Sequence, residues 1–408
     1  MIYYASMINS SDNFLNMDRR KLLLGILSAG TGSIMGLFDK LSLAKATPEI
    51  SRFGIPGPFP GRVVEVTHIG SVVNGEFRHE PVREMVARGM MELTGAIDNV
   101  TSWRSMFERG DIVGIKVNSV GAPLAISNHV LIHEIVNGLK SAGVRLQDII
   151  VFDRYGDDWV SAGYQKHLPD GVRGEYVVER FDSAQLNIKG YDPEIYAYME
   201  FIHPTLHDPK DDRTRRSHLC NIVSKQINKL INVPVLKDHG AAGITGALKN
   251  LSHGLVNNVS RSHGTPDTNT CNVFIPTICS LQPIREKTVL NIMDGLVGVY
   301  QKGPFAEQNS PYTWPYRSLL FATDPVAIDR VEWQIIDAKR GAMHLPPIAK
   351  AGRMGVNNQN NQTTIMWEKT SVEEGFDMRQ PQHVMIAGGL GLGVADIDKI
   401  EHLKIRLA

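Results

Sequence analysis

Cysteine is scarce in this chain. Cys220, Cys271 and Cys279 are the only 3 in 408 residues, and they form neither a C-x-x-C pair nor a regular ladder. A four-cysteine zinc or iron–sulfur site cannot be built from this chain alone; three buried thiols, or one disulfide with a spare thiol, are what remain. Net charge is missing as well. Lys plus Arg and Asp plus Glu both number 43, so no overall field draws the protein to nucleic acid or to an anionic membrane surface. Several motifs are absent too. No Gly-Lys-Ser/Thr follows a glycine loop, and no G-x-S-x-G occurs. Gly388-Gly389-Leu390-Gly391-Leu392-Gly393 departs from G-x-G-x-x-G and leaves too little chain for a β-α-β unit. A Walker phosphate loop is thereby excluded, serine-elbow acyl transfer has no support, and the late glycines read as a tight turn after a strand over His383–Ala387.

What the chain does have begins near its start. Arg19-Arg20 precedes Lys21-Leu22-Leu23-Leu24-Gly25, an apolar run follows to Phe38, and Ala44-Lys45-Ala46 has the small-residue pattern of a cleavage site. That order is an export signal, and the arginine pair points to the twin-arginine route. Residues 1–46 are thus expected to be signal plus N-terminal extension, with Met17 as an alternative start to Met1. The mature protein is expected in the periplasm or outside the cell. An uncleaved anchor is the alternative, since Leu22–Phe38 falls just short of a membrane span. Residues 47–61, rich in proline, read as a linker, and 62–408 as the folded part. Any division of that part into two lobes would fall near 200–230.

From there short apolar runs alternate with helical patterns. Arg62–Ile69, Asp111–Asn118, Asp148–Asp153, Lys229–Leu236, Thr288–Ile292 and Ser318–Ala322 read as strands. Val82–Leu93, His129–Ala142 and Gly246–Leu255 have helical spacing, and Asp324-Pro325 is an N-cap followed by a first-turn proline. Such alternation predicts an α/β fold: a mainly parallel mixed sheet with helices on both faces. Polar residues ending its strands (Lys116, Asn118, Asp153, Arg154, Lys237, His239, and Asp294 after a further strand) should converge on one edge, where ligands sit in such sheets.

The chemistry concentrates between 232 and 263. A strand ends in Lys237-Asp238-His239, the loop Gly240–Gly246 follows, and Ala247-Leu248-Lys249-Asn250-Leu251 opens a helix. Free amides at a glycine loop and helix start favour an anion. Lys237, Lys249 and Lys116 would hold it; Gly243 and Gly246 would let the backbone approach; Asn118, Asn250, Arg154 and Asp294 would complete the ligand site. His239 would act as acid/base, with Lys237 and Lys249 beside it as catalytic candidates. His239, His253 and His263 bracket the site and are the candidate metal ligands. His203 and His207 are spaced for one helix face but suit a surface loop as well. Asp324 reads as a cap and Asp329 as solvated charge.

Lys116-Val117-Asn118, Val233–His239, Gly246–Leu251, Asn257-Asn258, Arg261-Ser262-His263 and Ala322–Asp329 together resemble the hallmarks of domain of unknown function family 362, in its exported members with twin-arginine signals. The resemblance runs from about Arg62 to Leu407 and implies an α/β fold. Some relatives are fused to ferredoxin-like iron–sulfur modules, but the cysteine ladder of such a module is absent here. The sequence therefore predicts an exported enzyme of redox or metal-dependent type that binds a small anionic ligand in a lysine/histidine cleft. The partners implied are the translocase and a redox protein. The second expectation is a non-catalytic binding or electron-transfer accessory protein.

Overall fold

The computed structural model describes residues 52–263, 269–306, 309–350, 353–357, 362–364, 376–377 and 381–408. The signal segment, its cleavage site and most of the polar stretch 357–362 lie outside the described residues. Among the described residues, no helix is long and apolar enough to cross a membrane.

Strands form where β-branched residues recur. They are β1 (Arg62–His68), β2 (Val113–Lys116), β3 (Ile149–Tyr155), β4 (Arg173–Val178), β5 (Lys229–Asn232), β6 (Val235–His239), β7 (Thr288–Val299), β8 (Ser318–Ala322) and β9 (Glu401–Leu407). They belong to one 11-stranded sheet of order β9-β1-β8-β7-β5-β2-β3-β4, with β6 alongside β7. Parallel pairing joins β7 to β5, β5 to β2, β2 to β3 and β3 to β4. Antiparallel pairing is confined on this path to β8, which meets β1 on one side and β7 on the other. The expected mainly parallel mixed sheet is the fold observed.

Two details set the site. The single strand expected over Lys229–Leu236 is broken at Val233-Pro234 into β5 and β6, since proline cannot donate to a ladder. The long β7 accommodates both: its first half pairs with β5 and its second with β6. Asp294 therefore lies mid-strand rather than at a strand end.

Helices cover both faces. On one, α1 (His79–Thr94) and α2 (His129–Ala142) bury Met85, Val86, Leu131 and Ile135. On the other, α3 (Gly246–His253), α4 (Cys271–Cys279), α5 (Pro325–Ala342) and α6 (His383–Gly389) bury Leu248, Leu251, Phe274 and Val331. The α6 segment corrects the strand expected over His383–Ala387: five residues are too short for periodicity to separate strand from helix. Asp324 caps α5 as expected, accepting from the amides of Val326 and Ala327 at 2.9 Å each. Its other oxygen accepts from Gly61 and Val394, tying both ends of the folded part to this helix. The proline-rich stretch before β1 is packed as well: Ile55 is buried and its amide donates to the Arg285 carbonyl at 2.8 Å.

Packing of α2 requires a glycine. A Cβ at Gly138 would stand 2.1 Å from the Trp103 indole, which is itself fully buried. Gly138→Ala gains about 1 kcal/mol of helix propensity but forces an overpacked ring, at about 1–3 kcal/mol or more. The expected result is a net loss of stability, read as a lower urea midpoint; a gain would show that Trp103 moves freely.

Candidate functional site

The carboxyl ends of β2, β3 and β6 deliver Lys116, Asp153, Arg154 and His239 to one edge of the sheet, where parallel α/β folds leave space between covering helices. Together with α3 and the loops at 181–185, 203–206 and 304–305 they wall a cavity of about 510 Å³. That is the size of a small-molecule site. Lys116, Asn118, Arg154 and Asn250 line it, as do His239, Lys249, His253 and His263.

Most charged groups in the wall are already bonded. The Lys116 ammonium donates to the Val117 carbonyl and to Asp153 Oδ1, each at 2.6 Å. Burial alone would raise Asp153, but the Lys116 charge, with amides and hydroxyl around it, holds its carboxyl below the ordinary range. Asn118 Nδ2 donates to Asn250 Oδ1 at 3.1 Å, and Asn250 Nδ2 donates to Asn232 Oδ1 at 2.7 Å, so both side chains are fixed in orientation. The Arg154 guanidinium donates to Tyr191 Oη, the His253 carbonyl and Gln185 Oε1.

Lys249 is different. Its ammonium forms no hydrogen bond or ion pair among the described residues, although it is 9% exposed and faces the cavity. Burial, with Arg154 and Lys116 nearby, lowers its pKa to about 8. Two further groups in the wall are buried without a hydrogen-bond partner, Tyr155 Oη and Ser260 Oγ. Folded proteins seldom leave such groups unpaired, so three of them in one cavity mark a place for a ligand.

His239 is held by its backbone. Its Nδ1 accepts from the amides of Ala241 and Ala242 at 3.0 and 3.1 Å. The neutral ring therefore carries its proton on Nε2 and is a donor there, not a lone-pair metal ligand. His253 and His263 are kept neutral by burial, which lowers His253 well below its usual value and His263 to about 3.

Four of the expected site residues lie elsewhere. Lys237 is fully buried behind the wall; its ammonium donates to Asn118 Oδ1 at 2.7 Å and to the carbonyls of Val120 and Ala125. Burial and the Lys249 charge lower it to about 7, while the charges of Asp153, Glu332 and Asp158 work the other way. It thus supports Asn118 and does not meet a ligand. Asp294 accepts from the amides of Asn128 and Leu296, bracing the start of α2. Gly243 packs against Pro381 and Ile348, and Gly246 against Asp329.

The helix start expected to bind an anion is occupied by the protein itself. Asp329 of α5 accepts from the amides of Ala247, by a short contact to Oδ1, and Leu248, at 2.9 Å. Glu332 Oε1 accepts from the Lys237 amide at 3.0 Å. Asp329 is fully buried, not solvated, and its spacing from Gly246 in sequence gave no hint of this contact.

Residues 113–334, more than half of the chain, match the family described as a domain of unknown function, DUF362. The chain belongs to this family. Every cavity residue named above falls inside the matched DUF362 span. No curated protein matches the chain. A crystal structure of a Thermotoga maritima protein, a structural genomics target, is similar over 65% of this chain and 59% of its own, with 9% identity and a TM-score of 0.38.

Sequence reasoning passed over several wall residues of this DUF362 chain. Tyr155 and Asp158 follow directly on the singled-out Asp153-Arg154, and adjacency was the available signal. Burial, then the negative charge of Asp153, raises Asp158. Phe181, Ser183, Gln185 and His203 come from irregular segments with no readable period. His203 and His207 are not on a helix: the His203 amide donates to His207 Nδ1 at 3.0 Å within a loop. The three cysteines are buried free thiols.

Proposed function

We propose that this protein is exported by the twin-arginine route and acts, in the periplasm or outside the cell, as a redox or metal-dependent enzyme on a small anionic ligand. The export reading rests on Arg19-Arg20, the apolar run behind it and Ala44-Lys45-Ala46. The observation that carries the ligand reading is the Lys249 ammonium, buried, facing the cavity and unpartnered among the described residues. A buried lone cation is costly, and an anion in the cavity is what removes the cost.

The roles follow from the geometry. Lys249 pairs with the anion, and Tyr155 Oη and Ser260 Oγ supply hydrogen bonds to it. Lys116 adds positive potential while remaining bonded to Asp153. Asn118 and Asn250 present fixed amide groups. His239 offers a proton from Nε2, and Asp158, its carboxyl raised by burial, is the group placed to take one up.

The test is calorimetric titration of the purified protein with inorganic phosphate, malonate, citrate and their uncharged ester or amide analogues. Saturable one-site binding of at least one anion, with none for the uncharged analogues, is the expected result. Equal response to charged and uncharged members, or no response to any anion at millimolar concentration, defeats the reading.

A further inference from the structure

Beside Lys249, three metal-ligating side chains from three different segments meet. His253 ends α3, His263 ends the short helix Ser260–His263, and Cys271 begins α4. One ligand atom from each lies within 4.8 Å of the other two. The His253 and His263 ring centres are 4.9 Å apart, edge to face.

Ser262 stands at the centre of this group. Its hydroxyl contacts His253 Nε2 at 2.9 Å and His263 Nδ1 at 3.2 Å, and its carbonyl accepts from Cys271 Sγ at 3.4 Å. The same hydroxyl donates to the Val259 carbonyl at 2.7 Å, so the two imidazoles share one small group between them. A tetrahedral zinc-type ion with two nitrogen and one sulfur ligands needs them about 3.3–3.8 Å apart. Binding therefore requires the Ser262 hydroxyl to rotate away and the three ligand atoms to draw together.

We infer that His253, His263 and Cys271 form a binding site for a zinc-type divalent ion, with an open coordination position facing the cleft. Two neutral imidazoles and one thiol are a borderline-soft set, suited to Zn²⁺ and not to Mg²⁺ or Ca²⁺. On binding, the Cys271 thiol forms a metal–sulfur bond and gives its proton to solvent. His253 and His263 both line the cavity, so the remaining position opens toward the space that Lys249 faces. Three protein ligands and one open position are the arrangement of catalytic rather than structural zinc. The inference deepens the metal-dependent reading of the same cleft, and it takes Cys271, which spacing alone did not connect with the histidines, as the third ligand. His239 stays outside the set, because its Nδ1 lone pair is taken by the Ala241 and Ala242 amides.

The test uses metal alone, with no anion present. Purified protein stripped by chelator is titrated with CoCl2, then with ZnCl2. The expected result is one equivalent of bound Co²⁺ with a thiolate-to-cobalt charge-transfer band in the near ultraviolet, displaced by Zn²⁺. Cys271→Ser, close to isosteric, removes the band and weakens binding at least about tenfold. His263→Gln weakens it to a similar degree with an unchanged circular dichroism spectrum. Lys249→Met keeps both band and stoichiometry, so loss of anion binding in that variant and loss of metal binding in the others are separate results. Absence of stoichiometric Co²⁺ binding by the wild type, or a band that survives Cys271→Ser, overturns the site.

Discussion

Lys249→Met weakens anion binding by at least about thirtyfold in calorimetric titration while leaving the fold intact. Methionine keeps the apolar stem and removes the charge, and truncating one member of a buried charge pair costs about 2–5 kcal/mol. The same lysine sets the pH profile. Its pKa in the folded protein is lowered to about 8, so its charge is present below that pH and lost as pH rises through it. Wild-type affinity for an anion should therefore hold on the acid side of about 8 and fall above it. Stability moves the opposite way. Between about 8 and the ordinary lysine value of 10.5 the unfolded chain binds the proton that the folded one has lost, so unfolding becomes less favourable as pH rises. Lys249→Met flattens both trends, and a binding profile unchanged in the variant would remove Lys249 from the site.

The second large effect is on stability. Asp329→Ala strips the acceptor from the amides of Ala247 and Leu248 at the buried start of α3. Two buried donors left unpaired cost about 1–3 kcal/mol each. A loss of about 3–5 kcal/mol in urea unfolding is expected, the range seen when one partner of a buried polar pair is removed. Glu332→Gln is the contrasting variant. It keeps an oxygen for the Lys237 amide, and Glu332 Oε2 has no partner to lose. A change under about 1 kcal/mol is expected for it. Burial raises both carboxyls, with the Asp324 charge adding to it at Asp329 and the Asp329 charge at Glu332, so a proton is held there near neutrality. Folded pKa values above unfolded ones make the pair's contribution complete in acid and lost as pH rises through about 8. Glu332→Gln should reduce that slope.

The fold was legible where local chemistry and tertiary need agree. His129–Ala142 shows one apolar stripe and forms as read, with Asn128 capping its start and Gly143 ending it. Ser318–Ala322 and the Asp324 cap did likewise. The site was legible at strand ends, where Lys116, Arg154 and His239 converge because parallel strands end on the same edge. Long-range contacts are what local pattern does not carry. Asp329 reaches an amide 82 positions away in the chain, and a carboxylate in the second turn of a helix looks the same in sequence whether it meets water or another helix. Asp294 misled for a related reason: β7 runs on past it to Val299 because β6 supplies a second partner. The loops carrying Phe181, Gln185 and His203 have no period, so their presence at the cavity comes only from three-dimensional structure.

The pairing of β1 with β9 has a consequence for the order of events during synthesis. Arg62 to His68 align in parallel with Glu401 to Leu407, residue for residue. Its other neighbour, β8, is also late, at Ser318–Ala322. The first of the described strands therefore waits for both partners until most of the chain has been translated. During that interval its valines, Val63, Val64 and Val66, all buried in the finished protein, are open to the surrounding medium. Sheets assembled from such distant segments form slowly and expose an edge meanwhile. This edge of the sheet therefore closes only after residues 401–407 have been made.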